Sequence, residues 1–261
     1  MNKFTFTSES VSEGHPDKVC DAISDAILDE YLKQDSNSRV ACETLATTGT
    51  VFVSGEITSS GSIDVEKTVK KTLNEIGYND EAYGMDQKNV NVISMLDKQS
   101  PEIAQGVDEG SGLHDEQGAG DQGLMFGYAC NETKELMPLP IHLSHRLVEK
   151  MSVLRKSGKI PWLRPDSKSQ VSVAYENNTP TKIEKVVIAT QHDDMLDRFN
   201  NEAEEHNFVK QEIISHVIKP VLEESGFSYD EDFIVKAQQC GRRPCAWCIE
   251  LVSATKQPCA W

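Results

Sequence analysis

The chain has 261 residues, a formal net charge of −16 and 38% hydrophobic residues. This length allows one large domain or two smaller ones, each with a sizeable core. The negative charge argues against nucleic acid or an anionic membrane as a partner, and no apolar run reaches the roughly 20 residues needed to span a bilayer. Residues 1–7 lack the apolar stretch of a secretory signal, so the sequence predicts a cytoplasmic protein.

The first hundred residues predict the element order β-α-β-β-α-β. Apolar residues recur at i,i+4 in the helices and alternate in the strands. In chain order the predicted elements are a strand over 3–8, a helix over 17–33, strands near 39–47 and 50–57, a helix from Val65 that Gly77 ends, and a strand over 89–96.

The same order recurs after residue 124. The predicted elements are a strand over Leu124–Cys130, a helix over 141–156, strands over 171–175 and 183–189, a helix over 205–223 with a kink at Pro220, and a strand beginning at Phe233–Val235. The repetition predicts an α+β fold of β-α-β-β-α-β units, with helices on the outer face of each sheet and the bare faces packed together.

The connection over residues 98–123 is long and rich in Gly, Asp, Glu and Gln, which predicts a mobile active-site lid. Within it, Gly118 to Gly123 match the dinucleotide-binding fingerprint. No apolar strand precedes the match and no helix follows it, so the context favours a loop that carries Asp121 towards a ligand.

Gly14-His15-Pro16-Asp17-Lys18 lies where the first long helix is predicted to begin, since proline is tolerated at the first helical position. The first turn of a helix has unpaired N–H groups and attracts anions. A phosphate there would meet a histidine and a lysine, and the aspartate would hold a divalent cation against it. The alternative is a polar helix start without function.

Four further groups are candidates, each with an ordinary structural alternative. Asp166 and Lys168 could bind a nucleotide's ribose or phosphates if the backbone is extended there. The alternative is that they form a surface ion pair. Glu43 and Glu56 lie in neighbouring strands and suit a cation or an ammonium group, or else face solvent. For His142 and His145 an ordinary surface or packing role is favoured over metal binding. His192 follows a strand and could reach a ligand.

Together these residues resemble the S-adenosylmethionine synthetases, the methionine adenosyltransferases. The matching strings are Thr7 to Lys18, Cys42-Glu43-Thr44, Ser54 to Ile57, Lys98 to Asp108, Gly118 to Ala129 and Ile160 to Gln170. The resemblance covers residues 3–235. It implies an attack of the methionine sulfur on C5′ of ATP, followed by cleavage of the released triphosphate to pyrophosphate and phosphate. It also implies Mg²⁺, K⁺, a dimer or dimer of dimers, and three β-α-β-β-α-β units.

The resemblance also implies a role for individual residues. It gives His15, Lys18 and Lys168 catalytic roles, and it places ATP against His15, Asp166, Ser167 and Lys168. Asp17 resembles a magnesium ligand and Glu43 a potassium ligand. Glu56 and Gln99 resemble the methionine-binding pair, Asp121 resembles a further site carboxylate, and Gln99 to Glu109 resemble the flexible loop.

Residues 236–261 depart from the family pattern. They contain Cys240, Cys245, Cys248 and Cys259, four basic residues and one acidic residue. The sequence predicts an N-terminal unit over 1–100, a lid over 101–117, a central unit over 118–235 and an unrelated tail, with a zinc site in the tail as the alternative. Without a third unit, the chain is expected to show weak activity or none, or to act by binding nucleotide or intact subunits.

Overall fold

A computed structural model describes residues 2–99 and 123–229 of the chain. By their internal contacts these residues form two compact units. Unit 1 contains residues 2–18, 82–84 and 129–229, and unit 2 contains residues 19–81, 85–99 and 123–128. In the described part of the chain, no helix has the length and apolar character that a membrane crossing requires.

The sheet of unit 1 has three antiparallel strands in the order β1-β7-β8: β1 is Lys3–Val11, β7 is Leu163–Glu176 and β8 is Thr179–His192. Two asparagines with positive φ, Asn177 at 52° and Asn178 at 63°, join β7 to β8. Asparagine tolerates this left-handed conformation, and two such residues make the tight turn that suits a hairpin.

Helix α3, Leu139–Lys156, packs on β1 and β7. Its buried residues include Leu143, Leu147, Met151 and Leu154, as the helical spacing predicts. The predicted helix over 205–223 is present as α4, Glu202–Ile213, a π-helical turn over Ile214–Ile218, and α5, Lys219–Ser225. The π turn directly precedes Pro220, which has no N–H for the regular ladder.

The predicted strand over Leu124–Cys130 is wrong. Residues 123–130 have no strand or helix geometry, and Leu124, Met125 and Phe126 are exposed. In the sheet of unit 1, the strand beside β7 is instead β1, from the start of the chain. An apolar run has strand propensity, but only a partner strand satisfies its backbone hydrogen bonds.

The sheet of unit 2 has the order β2-β3-β6, where β2 is Arg39–Thr47, β3 is Thr50–Thr58 and β6 is Asn91–Lys98. β2 and β3 are antiparallel, and β3 and β6 are parallel. Val51, Val53 and Ile57 of β3 are buried, while the alternate residues of the three strands make a second face. Leu45 and Met95, which are 67% and 61% exposed, lie on that second face.

Two helices lie wholly or mostly in unit 2. Helix α1, Pro16–Leu32, buries Val19, Ile23 and Ile27, which confirms the helix predicted there. Helix α2, Val65–Ile76, begins after Asp64, whose side chain accepts a hydrogen bond from the Lys67 N–H, and ends at Gly77 with φ of 111°. A short hairpin, β4 over Asn79–Asp80 and β5 over Met85–Asp86, lies between α2 and β6. The α+β fold class is therefore confirmed.

Candidate active site

The loop before α1 is fixed to strand β7 by Ser12. The Ser12 N–H donates to the Ser167 carbonyl at 2.8 Å and the Ser12 hydroxyl donates to the Pro165 carbonyl at 2.7 Å, while the Ser167 N–H donates back to that hydroxyl at 2.7 Å. Ser12 is buried. The His15 N–H donates to the Ser12 carbonyl at 3.0 Å, so the backbone that carries His15 is tied to Ser12.

Gly14 allows this loop to approach β7 closely. A Cβ atom at Gly14 would lie 2.3 Å from the carbonyl carbon and the Cβ of Pro165, well inside van der Waals contact. The glycine of the Gly-His-Pro-Asp string is therefore required by a backbone contact with the residue next to Asp166.

His15 lies at the start of α1 in a defined protonation state. Its Nδ1 accepts a hydrogen bond from the Asp17 N–H at 3.2 Å and lies 3.7 Å from Asp17 Oδ2. Burial lowers the pKa of His15 below 6.5; Asp17 acts against this shift and Lys168 adds to it. The lowered pKa favours the neutral ring, and the hydrogen bond accepted by Nδ1 favours the tautomer with the proton on Nε2.

Lys168 comes to this loop through the pairing of β1 with β7. Lys168 is opposite Val11 in the register and Glu9 is opposite Gln170, so Lys168 and Glu9 lie diagonally on one face of the sheet. The Lys168 ammonium is 2.8 Å from Glu9 Oε1. Together with Lys18, which also lowers the pKa of His15, these groups make what we call the His15 cluster: Glu9, His15, Asp17, Lys18 and Lys168.

Asp166 lies next to the cluster, in β7, and is 2% exposed. Its Oδ1 is buried without a hydrogen-bond partner among the described residues, and burial raises the pKa of the carboxyl to about 8. A buried polar atom without a partner is costly. The carboxyl is therefore largely protonated at neutral pH, and a hydrogen-bond donor from a ligand would satisfy it. Ser167 is also buried, and its backbone holds Ser12.

The carboxylates of the His15 cluster suit a magnesium ion that is shared with a phosphate ligand. Asp17 is 83% exposed in its side chain, and within residues 2–99 and 123–229 no three metal-ligating side chains converge. Mg²⁺ is commonly held by one or two carboxylates, with water and substrate phosphates completing its shell. Asp17 fits that arrangement, in which protein ligands are few.

Unit 2 brings Glu43, Glu56 and Gln99 to one face of its sheet. Glu43 is opposite Ser54, and Glu56 lies two residues further along β3 on the same face. The Gln99 side-chain oxygen accepts hydrogen bonds from Arg39 at 3.1 Å and from Thr58 at 3.4 Å. We call Glu43, Glu56 and Gln99 the Glu56 face. Both glutamates are exposed, so their carboxylates are hydrated.

Comparison with known proteins assigns the chain to a family. The family model "S-adenosylmethionine synthetase, N-terminal domain" matches residues 3–101, and the model of the central domain matches residues 116–242. The chain belongs to the S-adenosylmethionine synthetase family.

Two curated relatives have the same assignment. An S-adenosylmethionine synthase from Syntrophobacter fumaroxidans is 51% identical over 222 residues, which cover 85% of this chain and 55% of the relative. One from Sorangium cellulosum is 57% identical over 192 residues, which cover 74% of this chain and 46% of the relative. The chain thus spans about half the length of the curated relatives it matches.

The histidines outside the strings that carry the synthetase resemblance have ordinary contacts. His142 Nε2 lies 3.7 Å from Glu135 Oε2, and His145 Nδ1 is 2.8 Å from the Ser10 hydroxyl. His192 packs edge-on against Trp162, with ring centroids 6.2 Å apart. His145 is exposed and His142 is half-buried. These contacts are those of ordinary surface or packing histidines.

Glu9, Ser12 and Arg39 were not identified from the sequence as neighbours of the candidate site residues. Glu9 lies inside the Thr7-to-Lys18 string, so alternation along β1 was a usable signal, but its partner Lys168 is apparent only from the strand register. Asp121, residues 100–109, Phe233–Val235 and the four cysteines of the tail lie outside the described residues. Their predicted roles stay predictions.

Proposed function

We propose that this chain binds ATP through its polyphosphate at the His15 cluster and takes part in S-adenosylmethionine synthesis from ATP and L-methionine. The observation that carries the proposal is that the loop before α1, which carries His15, lies against β7, the strand that carries Lys168. Lys168 also influences the pKa of His15. Family membership supports the reaction, since both relatives are named S-adenosylmethionine synthase.

The proposed chemistry needs positive charge and positioning more than it needs a base. The methionine sulfur attacks C5′ of ATP, the C5′–O bond breaks, and the electron pair leaves with the triphosphate. The ammonium groups of Lys168 and Lys18 stabilise the negative charge that develops on the triphosphate. The His15 Nε2–H donates a hydrogen bond to the same leaving group. Loss of one such donor typically costs about 10² to 10³ in rate.

The ions and methionine are assigned to residues in the same proposal. Asp17 would hold Mg²⁺ and Glu43 would hold K⁺; magnesium, when bound, supplies charge neutralisation of the triphosphate. Glu56 would attract the methionine ammonium group, with Gln99 beside it, and Asp166 would accept a hydrogen bond from the nucleotide. Subsequent cleavage of the triphosphate would use the same cations.

The test is a nucleotide titration beside a turnover assay. Lys168→Met should weaken binding of a non-hydrolysable ATP analogue about 10-fold to 100-fold, measured by isothermal titration calorimetry, because a charge-assisted contact is lost. Lys159→Met, at an exposed lysine after α3, is the matched control and should leave binding unchanged. If wild type and both variants bind equally, or none binds, the His15 cluster is not an ATP site.

The second candidate function is binding of nucleotide or of intact synthetase subunits without turnover. The exposure of apolar side chains such as Leu45, Met95 and Phe126, at 67%, 61% and 91%, favours association with another protein surface. Nucleotide binding without formation of S-adenosylmethionine would support this alternative. Turnover by the purified chain would reject it.

A further inference from the structure

Glu13 joins the loop that carries His15 to the end of helix α3. Glu13 Oε1 accepts hydrogen bonds from the Ser152 hydroxyl at 2.8 Å and from Arg155 Nη2 at 2.6 Å. The other oxygen, Oε2, accepts from Lys156 Nζ at 2.6 Å. One carboxylate thus contacts three side chains in the last turns of α3, and all four residues belong to unit 1.

These contacts differ from the exposed ion pairs elsewhere on the surface. The Arg155 side chain is 12% exposed and the Glu13 side chain 29% exposed, although Lys156 is 49% exposed. The Lys3–Glu176 pair is 64% and 42% exposed. Partial burial reduces screening by solvent, and charge-assisted bonds to both carboxylate oxygens fix the side chain's orientation. The Glu13 contacts are therefore able to hold a backbone in place.

The loop has two other fixed points, and both lie on β7. Ser12 is hydrogen-bonded to Pro165 and Ser167, and Gly14 lies against Pro165. Glu13, the residue between Ser12 and Gly14, adds contacts with a second element, α3. The contacts of Glu13 therefore restrain the loop from a second element, in addition to the contacts with β7. His15 is the next side chain after these points.

We infer that Glu13 is a positioning residue: its contacts with Ser152, Arg155 and Lys156 fix the orientation of the His15 ring for a polyphosphate ligand. This inference rests on the proposed function for its ligand, but the orientation itself is a property of the unliganded protein. The charges that shift the pKa of His15 are Asp17, Lys168, Glu9 and Lys18. Glu13 acts on His15 through the backbone.

The test compares the Glu13→Gln and Glu13→Ala variants with Arg155→Gln, which breaks the same tie from the other side. The first readout is the ring ¹H–¹³C NMR signal of His15 at pH 8 without ligand, assigned with His15→Gln. The imidazole is neutral at this pH, so the signal reports the ring's surroundings. All three variants are expected to shift the signal in the same direction, with Glu13→Ala largest and Glu13→Gln intermediate.

The second readout is the affinity for inorganic tripolyphosphate, measured by calorimetry. Glu13→Ala should weaken tripolyphosphate binding about tenfold. The Glu13→Ala/Arg155→Gln double variant should bind only slightly more weakly than the weaker-binding single variant, because both changes remove the same Glu13–Arg155 contact. Glu176→Gln, which breaks the exposed pair at the other end of β1 and β7, is the control and should change neither readout.

The outcomes separate this inference from the proposed function. If wild type does not bind tripolyphosphate or ATP, the proposed function fails, and the His15 signal still decides whether Glu13 sets the ring's orientation. If Glu13→Gln and Arg155→Gln are folded by circular dichroism and leave the His15 signal in its wild-type position, the inference is wrong. Should Glu13→Ala not fold, Glu13→Gln and Arg155→Gln give the same decision.

Discussion

The His15 cluster and the Glu56 face position their polar groups in different ways. His15 is carried by a loop whose backbone is hydrogen-bonded through buried Ser12, and a neighbouring carboxyl, Asp166, is 2% exposed. Glu43 and Glu56 are exposed residues of regular strands, where only side-chain rotamers set the position of the carboxylates. In the His15 cluster, burial fixes the polar groups before a ligand binds. On the Glu56 face, the strand register fixes only the backbone positions of the glutamates.

This difference fits the two ligands proposed for the regions. A polyphosphate whose charge changes during the reaction benefits from fixed donors, since reorientation at the transition state would cost free energy. An ammonium group needs only an attractive charge at a suitable distance, and solvent screens that attraction. Substitutions in the loop should therefore affect stability and binding strongly, and substitutions on the Glu56 face should affect them weakly.

The largest effect is expected for Gly14→Ala. The added Cβ would lie 2.3 Å from Pro165 atoms, so the loop or β7 has to move. We expect a loss of about 3 kcal/mol in the free energy of unfolding, measured by urea denaturation. Gly127→Ala, where no atom of the described residues lies within 4 Å of the added Cβ, is the control and should be nearly neutral. Equal stability of the two variants would contradict the close approach of loop and strand.

A smaller effect, with a definite pH dependence, is expected for Asp166→Asn. Burial raises the pKa of Asp166 from 3.8 to about 8, so between these values the native state binds more protons than the unfolded state. Protonation of Asp166 therefore contributes to the stability of the native state. This contribution is present in full below about pH 4 and is lost as the pH rises through about 8. The amide cannot ionise, so the variant should be more stable than wild type by about 2 kcal/mol at pH 8.5.

The measurement for Asp166 is urea denaturation at pH 5, 7 and 8.5 for wild type and variant without ligand. The stability difference should grow with pH in favour of Asp166→Asn. Nucleotide affinity, measured at pH 7 on the same samples, should fall in the variant. A difference in stability that does not change with pH would contradict the burial of an ionisable carboxyl.

The smallest effect is expected for Glu56→Gln, on the exposed face. The free energy of unfolding should change by less than about 0.5 kcal/mol, because the side chain is exposed. Methionine affinity, measured by calorimetry in the presence of an ATP analogue, should fall about fivefold, as expected for a screened charge pair. Tripolyphosphate affinity should not change. A large loss of polyphosphate binding would show that the two regions are not separate in function.

Much of the local structure follows from the sequence, because it depends on neighbours along the chain. The periodic apolar residues Leu143, Leu147 and Met151 predicted α3, and Gly77 predicted the end of α2. The start of α1 at Pro16 was also correct, and with it the location of His15 at a helix start. The failed strand over Leu124–Cys130 has the same origin: local propensity was sufficient for a prediction, but no partner strand was assigned.

The sequence by itself determined the family, the α+β class, the main helices and the short strings in which the candidate residues lie. Only the tertiary structure decided that β1 pairs with β7, that Glu9 faces Lys168 and that Gly14 lies against Pro165. It also decided that Asp166 is buried, with Oδ1 lacking a hydrogen-bond partner in the part of the chain that the structure describes. The three contacts join segments more than 150 residues apart. The burial of Asp166 depends on the residues that pack around β7. Register and burial between distant segments are set by packing of the whole unit, which local patterns of residues do not specify.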